Sequence, residues 1–168
     1  MNTEFRRAVL PAELRNLQAF DKKVFPRADV FPAEYWNQCE PYWLLIDGVK
    51  AGCCAFDKNT SHAKGTLYVT TTGILPRFQR KGLGQLMKQW QIAYARRRRF
   101  TRIVTTTRKS NAAMIALNRK FYFKTVRTIP GYYTEPTEPA LVMELLLTPP
   151  PPRRARPSPA STGRSTAS

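Results

Sequence analysis

Apolar and polar positions alternate along this chain with two periods, and the switches between them mark the elements. Phe5 to Val9 suits a first strand. Leu14, Leu17 and then Phe20 or Phe25 recur at helical intervals and predict a helix over 12–24. A second short helix over 33–39 is expected after Pro32. Tyr42 to Ile46 and Val49 to Phe56 flank Asp47-Gly48, a dipeptide that supplies the positive-φ residues of a tight hairpin turn. The run 65–75 is rich in β-branched and aromatic residues and reads as a strand. Leu86, Met87, Trp90 and Tyr94 then recur at helical spacing, predicting a helix from about 84 to 99. Arg102 to Thr107 is strand-like, 111–120 helical, and Lys124 to Ile129 and Ala140 to Leu147 are strands. The series describes one α/β domain built on a mixed sheet (α+β in its order of elements), with no internal repeat.

Between the strand over 65–75 and the helix that follows lies Gln79-Arg80-Lys81-Gly82-Leu83-Gly84. The first amides of a helix have no internal acceptor, and the helix dipole adds partial positive charge there. Two glycines let a bulky anion approach the backbone, and Arg77, Arg80 and Lys81 add fixed charge. The turn reads as a pyrophosphate site. It lacks the third glycine of a dinucleotide fingerprint, with Met87 in that place, and the Gly-Lys-Ser/Thr ending of a nucleotidase loop.

What remains resembles the acyl-CoA turn of the GCN5-related N-acetyltransferases (GNAT), Gln/Arg-x-x-Gly-x-Gly/Ala. Ile74-x-Pro76-x-Phe78 precedes it as that family's Val-x-Pro-x-Tyr does. Downstream, the segment from Asn111 through Ala113, Leu117, Asn118 and Lys120 to Phe123 is similar to the family's Asn-x-x-Ala-x-x-Leu-Tyr-x-Lys-x-Gly-Phe. The stretch from Pro130-Gly131-Tyr132-Tyr133 to Glu138-Pro139-Ala140 looks like the ending of the ribosomal-protein N-terminal acetyltransferase branch. The resemblance spans about residues 5–147. It implies a GNAT-like fold, in which the central strands splay apart around the cofactor and helices flank the sheet. It also implies acetyl-CoA as acyl donor, no metal, and cofactor contacts from Ile74, Gln79, Arg80, Lys81, Gly82, Leu83, Gly84 and Asn111.

Composition fits one enzyme-sized domain over 1–147. With 168 residues, 42% of them hydrophobic, the chain can bury one substantial core but hardly two. No apolar run reaches the ~18 residues that span a bilayer, and the start, Met1 to Arg7, has no signal-peptide core behind it. Cys39, Cys53 and Cys54 make no disulfide framework and are expected to be structural thiols in a reducing cytoplasm, with Cys53 and Cys54 pointing to opposite faces of a strand. The Pro/Arg/Ser-rich tail over 148–168 has no leucine, valine or aromatic residue to bury and is expected to be disordered.

The distribution of charge says more than the formal net charge of +17. All 11 acidic residues fall within 4–57 or 135–144, while Lys58 to Thr134 holds only Lys and Arg. The cofactor half is wholly basic, as suits a ligand carrying several phosphates. In the family, the acceptor groove is built from the first two helices and the loop before the last strand. Asp29, Glu34, Glu40, Glu135 and Glu138 fall in those segments. The run Arg96 to Arg99 reads first as a solvated helix end favoured by the dipole, with non-specific nucleic-acid contact as the alternative.

The implied reaction moves an acetyl group from a thioester to a primary amine. The family commonly protonates the leaving thiolate with the Tyr of its Leu-Tyr pair, where this chain has Asn118, which cannot act as an acid. Tyr122 stands in place of the family's glycine. Three readings stay open: departure of the thiolate helped by water alone, substitution by Tyr132 or Tyr133 as acid or substrate contact, or binding of acyl-CoA without turnover. Glu138 or Glu135 could serve as a base through water, and the lone His62 is not assigned a role. The expectation is an acetyltransferase acting on a protein or peptide amine, as monomer or homodimer and with no membrane partner. Small-molecule amines are the alternative acceptors, and an RNA- or ribosome-associated acyl-CoA-binding module is the rival.

Overall fold

The computed structural model describes residues 1–58 and 65–147; His62 and the tail over 148–168 lie outside the described residues. Seven strands form one sheet: β1 (Thr3–Arg7), β2 (Cys39–Ile46), β3 (Val49–Asp57), β4 (Thr66–Ile74), β5 (Arg102–Arg108), β6 (Lys124–Tyr133) and β7 (Glu138–Leu146). Their spatial order is β1-β2-β3-β4-β5-β7-β6. Among the described residues four α-helices accompany them: α1 (Leu14–Val24), α2 (Ala33–Trp36), α3 (Leu83–Arg97) and α4 (Ala112–Lys120). Every neighbouring pair is antiparallel except β4 and β5. This is the mixed α/β arrangement expected from the order of elements.

Strand alternation divides the core into two layers. Tyr42, Leu44, Cys54 and Phe56 pack with Met87, Tyr94 and Ile115 on the side of α3 and α4. Trp43, Leu45, Cys53 and Ala55 face the other way, against Leu17 and Phe20 of α1 and Trp36 of α2. Cys53 and Cys54 therefore occupy opposite layers, as the period of a strand requires. All three cysteines are buried and free. Burial is the main cause that raises each thiol, Cys39 to about 11 and Cys54 to about 12, so none is held as a thiolate.

Local signals in the sequence explain most boundaries. Asp47 and Gly48 take φ of 48° and 79°, the handedness a two-residue hairpin needs. Glu13 precedes α1 and accepts from both Nη atoms of Arg6, from the Val9 amide, from Trp43 Nε1 and, at 3.2 Å, from Lys50. The Arg6 hydrogen bond leads the causes that hold its carboxyl down at about 2. This cluster pins the start of α1 to β1 and β2. The second helix stops at Trp36 rather than reaching Cys39, because Cys39 enters β2 opposite Asp57. Strand β6 runs past Ile129 to Tyr133, since Tyr133 pairs with Glu138 across an irregular register.

Candidate active site

The sheet opens between its two parallel strands. Pairing of β4 with β5 runs from Thr66–Arg102 to Val69–Thr105, and no pair follows. Strand β4 continues five residues further, to Ile74, held only by β3. Strand β5 meanwhile stays paired with β7 as far as Arg108 and Ala140. Thr70 to Ile74 thus presents an unpaired edge across a gap from Thr106 to Arg108. The Ile74 carbonyl is taken by Gln79, but among the described residues no strand pairs with this edge, and such an edge can take an extended, amide-bearing ligand.

The gap leads directly to the glycine turn. Gly82 is the N-cap of α3 with φ 78° and ψ 5°, and the space its side chain would occupy holds no atom within 4 Å. A left-handed N-cap opens the first amides of a helix to the solvent side, where Gln79, Arg80, Lys81 and Gly82 are all exposed. Gly84 serves a different purpose. A Cβ there would come within 3.3 Å of Leu117, so this glycine lets α3 approach α4. The Gln79 amide nitrogen donates back to the Ile74 carbonyl at 2.9 Å and closes the turn. The Leu75 amide is also engaged, donating to Ala51 at 2.9 Å. Asn111 caps α4, its Oδ1 accepting from the Met114 amide at 3.1 Å.

On the α1–α2 side of the gap, Arg108 gathers Asp29, Glu138 and Tyr133. Its Nε and Nη2 donate to the two oxygens of Asp29, each at 2.8 Å. Nη1 donates to Glu138 at 2.9 Å and to the Pro136 carbonyl, and Nη2 to the Thr134 carbonyl. The guanidinium also lies 4.6 Å from the centre of the Tyr133 ring. Glu138 further accepts from the amide and hydroxyl of Ser110. These bonds, Arg108 first, hold the Glu138 carboxyl below its usual range. Both its oxygens accept hydrogen bonds, and a carboxylate so held is a weakened proton acceptor.

Tyr133 is partly buried, and burial first of all pushes its phenol up to about 12, so it stays protonated. Tyr132 is 55% exposed and meets Tyr133 edge-on, with ring centroids 5.0 Å apart. Tyr35 and Phe31 form a similar edge contact on the opposing wall. Asp21 lies beneath that wall, 1% exposed, accepting from the Phe31 amide at 2.7 Å. Burial raises its carboxyl to about 6, with Asp29 adding to the rise. Sequence patterning concealed Asp21, an acid within the amphipathic period of α1.

Asn118 is fully buried beneath the other side of the gap. Its Nδ2 donates weakly to Met143 Sδ at 3.5 Å, and its Oδ1 has no partner. Its amide has no acidic proton, so it lacks the chemistry of the acid it replaces. Among the described residues no group of three or more His, Cys, Asp or Glu could hold a metal, and no helix is long and apolar enough to cross a membrane.

Comparison with known proteins agrees with this geometry. Residues 11–123 match the model of the acetyltransferase (GNAT) family. No curated protein matches the sequence. Among solved structures, the ribosomal-protein-S18-alanine N-acetyltransferase of Escherichia coli superposes with a TM-score of 0.77 at 18% identity, covering 92% of this chain and 100% of that one. Ard1 of Thermoplasma volcanium gives 0.72 at 14% identity, covering 88% and 99%. A GNAT family acetyltransferase of Elizabethkingia anophelis, solved with acetyl-CoA bound, gives 0.69 at 15% identity, covering 87% and 99%. Identities this low speak for the fold, and the family model for the ancestry: the chain belongs to the GNAT acetyltransferase family.

Proposed function

We propose that this protein transfers an acetyl group from acetyl-CoA to a primary amine of a protein or peptide in the cytoplasm, as a monomer or homodimer. The observation that carries the reading is the unpaired edge of β4 from Thr70 to Ile74, leading straight into an exposed turn whose N-cap, Gly82, is left-handed and open. Pyrophosphate would rest on the first amides of α3 beside Arg80 and Lys81, and the pantetheine arm would pair along β4 past Ile74, its thioester reaching the gap. The acceptor would enter from the α1–α2 side, between Tyr35 and Phe31 on one wall and Tyr132 and Tyr133 on the other. In this arrangement Tyr133 contacts the acceptor, Glu138 positions it through Arg108, and the exposed acids Glu34 and Glu135 attract a cationic amine. The aromatic pair at the groove and the likeness to an enzyme acting on a ribosomal protein's alanine favour a peptide amine over a small-molecule amine.

Calorimetric titration of acetyl-CoA tests the cofactor site. Micromolar binding, lost in Gly82→Asp, is the expected result, because that change sets a negative charge and a strained residue against the pyrophosphate. No heat at millimolar ligand would sink the transferase reading in favour of a basic RNA-binding module. Such a module would show an affinity for RNA that falls steeply with salt.

A further inference from the structure

The face of α3 turned toward α4 carries an unusual set of side chains. Gly84 touches Leu117, one turn later comes Lys88, and three residues on comes Gln91. Lys88 is 1% exposed and Gln91 fully buried, although both stand inside the core. Gln91 Nε2 donates to Thr72 Oγ1 at 2.9 Å, so this stripe lies under the stretch of β4 that has lost β5. Lys88 is one turn nearer the glycine end of α3. Its ammonium sits 4.8 Å from the centre of the Phe123 ring, and the Phe123 amide in turn donates to the Asn118 carbonyl. The Cys54 thiol of β3 is the titratable group facing Lys88 from the sheet; α4 and the turn after it present Asn118 and Phe123, neither of which titrates.

Such a seam is costly as architecture. Among the described residues no carboxylate forms an ion pair with Lys88, and two oxygens beside this stripe, Gln91 Oε1 and Asn118 Oδ1, are buried with no hydrogen-bond partner. An unpaired buried cation and two orphaned acceptors each oppose folding, and a leucine at 88 would serve a helix–helix contact better. The two oxygens lack donors, while the ammonium lacks an anion. Under the acyl-CoA reading, on which this inference rests, the reaction generates one where the gap ends: the thiolate of CoA. The residue that would otherwise protonate it is Asn118, which cannot.

We propose that Lys88 is the group that stabilises and protonates the leaving thiolate, reaching the sulfur from α3 in place of an acid on α4. The acceptor nitrogen attacks the thioester carbonyl carbon, and as the tetrahedral intermediate collapses the C–S bond breaks with its electron pair going to sulfur. The Lys88 ammonium gives its proton to that sulfur and becomes a neutral amine. The proton shed by the acceptor nitrogen restores the ammonium through solvent, so Lys88 ends as it began. Burial draws the Lys88 ammonium down to about 8, which brings the proton within reach of transfer near neutral pH.

The interaction with sulfur can be read without turnover. Calorimetry at pH 8 compares CoA with desulfo-CoA, which lacks the thiol, on the parent and on Lys88→Met. The parent is expected to prefer CoA by about tenfold, the scale of one charge-assisted hydrogen bond. In Lys88→Met the preference should fall below about twofold, while desulfo-CoA binds as before. An equal preference in parent and variant would overturn the proposal. Absorbance titration of the thiol of CoA bound to the parent is a second measurement that needs no variant. A thiol titrating at least one unit below free CoA is expected, and an unshifted one overturns the proposal. Failure of both ligands to bind the parent overturns the acyl-CoA reading and this one with it, an outcome distinct from binding without discrimination.

Discussion

Arg108 and Asp29 meet through two parallel hydrogen bonds of 2.8 Å, from Nε to Oδ2 and from Nη2 to Oδ1. Arg108 ends β5, and Asp29 stands in the short turn Arg27–Asp29 between α1 and α2. The same guanidinium holds Glu138 and the carbonyls of Thr134 and Pro136. One side chain thus ties both walls of the proposed acceptor groove to the strand bordering the gap. A guanidinium can do this because its donors form a planar fork; an ammonium would reach one partner at a time.

Arg108→Lys is therefore not conservative. It keeps the charge and loses the fork, which should cost about 2 kcal/mol, the scale of hydrogen bonds to charged groups. Thermal unfolding should drop by several degrees. The KM for the amine acceptor should rise several-fold while acetyl-CoA affinity, set at the other side of the gap, stays put. An unaltered acceptor KM would mean that the groove is shaped elsewhere.

Glu138→Gln separates a positioning role from proton transfer. A general base contributes about 10²- to 10⁴-fold, so losing one would be unmistakable. Glu138 is already committed to Arg108 and Ser110, and its carboxyl is held below the usual range. The expected loss in kcat is less than about tenfold, with the shape of the pH–rate profile retained. Disappearance of the acid limb would restore Glu138 to the chemistry.

Much of this architecture is written in local pattern. Asp47-Gly48, Gly82 and the Cys53-Cys54 alternation each follow from backbone sterics or strand period, which act within a few residues. The width of the gap is different, because it depends on where β4 and β5 stop pairing, a register between segments more than thirty residues apart in sequence. The acids of the acceptor side were visible, but not that Arg108 would neutralise Asp29 and Glu138, since nothing local links positions 29, 108 and 138. Lys88 was hidden for the opposite reason. Counted among the basic residues of an acid-free segment, it looks like one more solvated charge, and only the packing of α3 on α4 reveals it as buried.

Asp21 gives the stability a pH dependence of definite sign. Its carboxyl is raised by burial from 3.8 to about 6, so the folded state binds a proton that the unfolded chain has lost between those values. The stability it permits is full below pH 4 and declines as pH rises through 6, by on the order of 3 kcal/mol. Asp21→Asn keeps an oxygen for the Phe31 amide and removes the charge. Urea denaturation should show the variant more stable than the parent at pH 8 by about that amount, and equal to it near pH 4. A constant difference at both values would refute the desolvation account.

Asn118 allows a direct test of whether the missing tyrosine can be put back. The side chain is fully enclosed, with one weak donor contact to Met143 and an oxygen that finds nothing. Asn118→Tyr places a much larger ring where no exposed space exists, and overpacking should cost at least 1–3 kcal/mol. A lower melting temperature without a gain in turnover is expected. Asn118→Leu has nearly the original shape and removes the orphaned oxygen, an unsatisfied group worth about 1–3 kcal/mol. Its melting temperature should rise by a few degrees. The pair of outcomes would establish that position 118 now fills the core, leaving the proton for sulfur to come from another element. A folded Asn118→Tyr with faster turnover would show instead that α4 can still open toward the gap, and that an acid there remains usable.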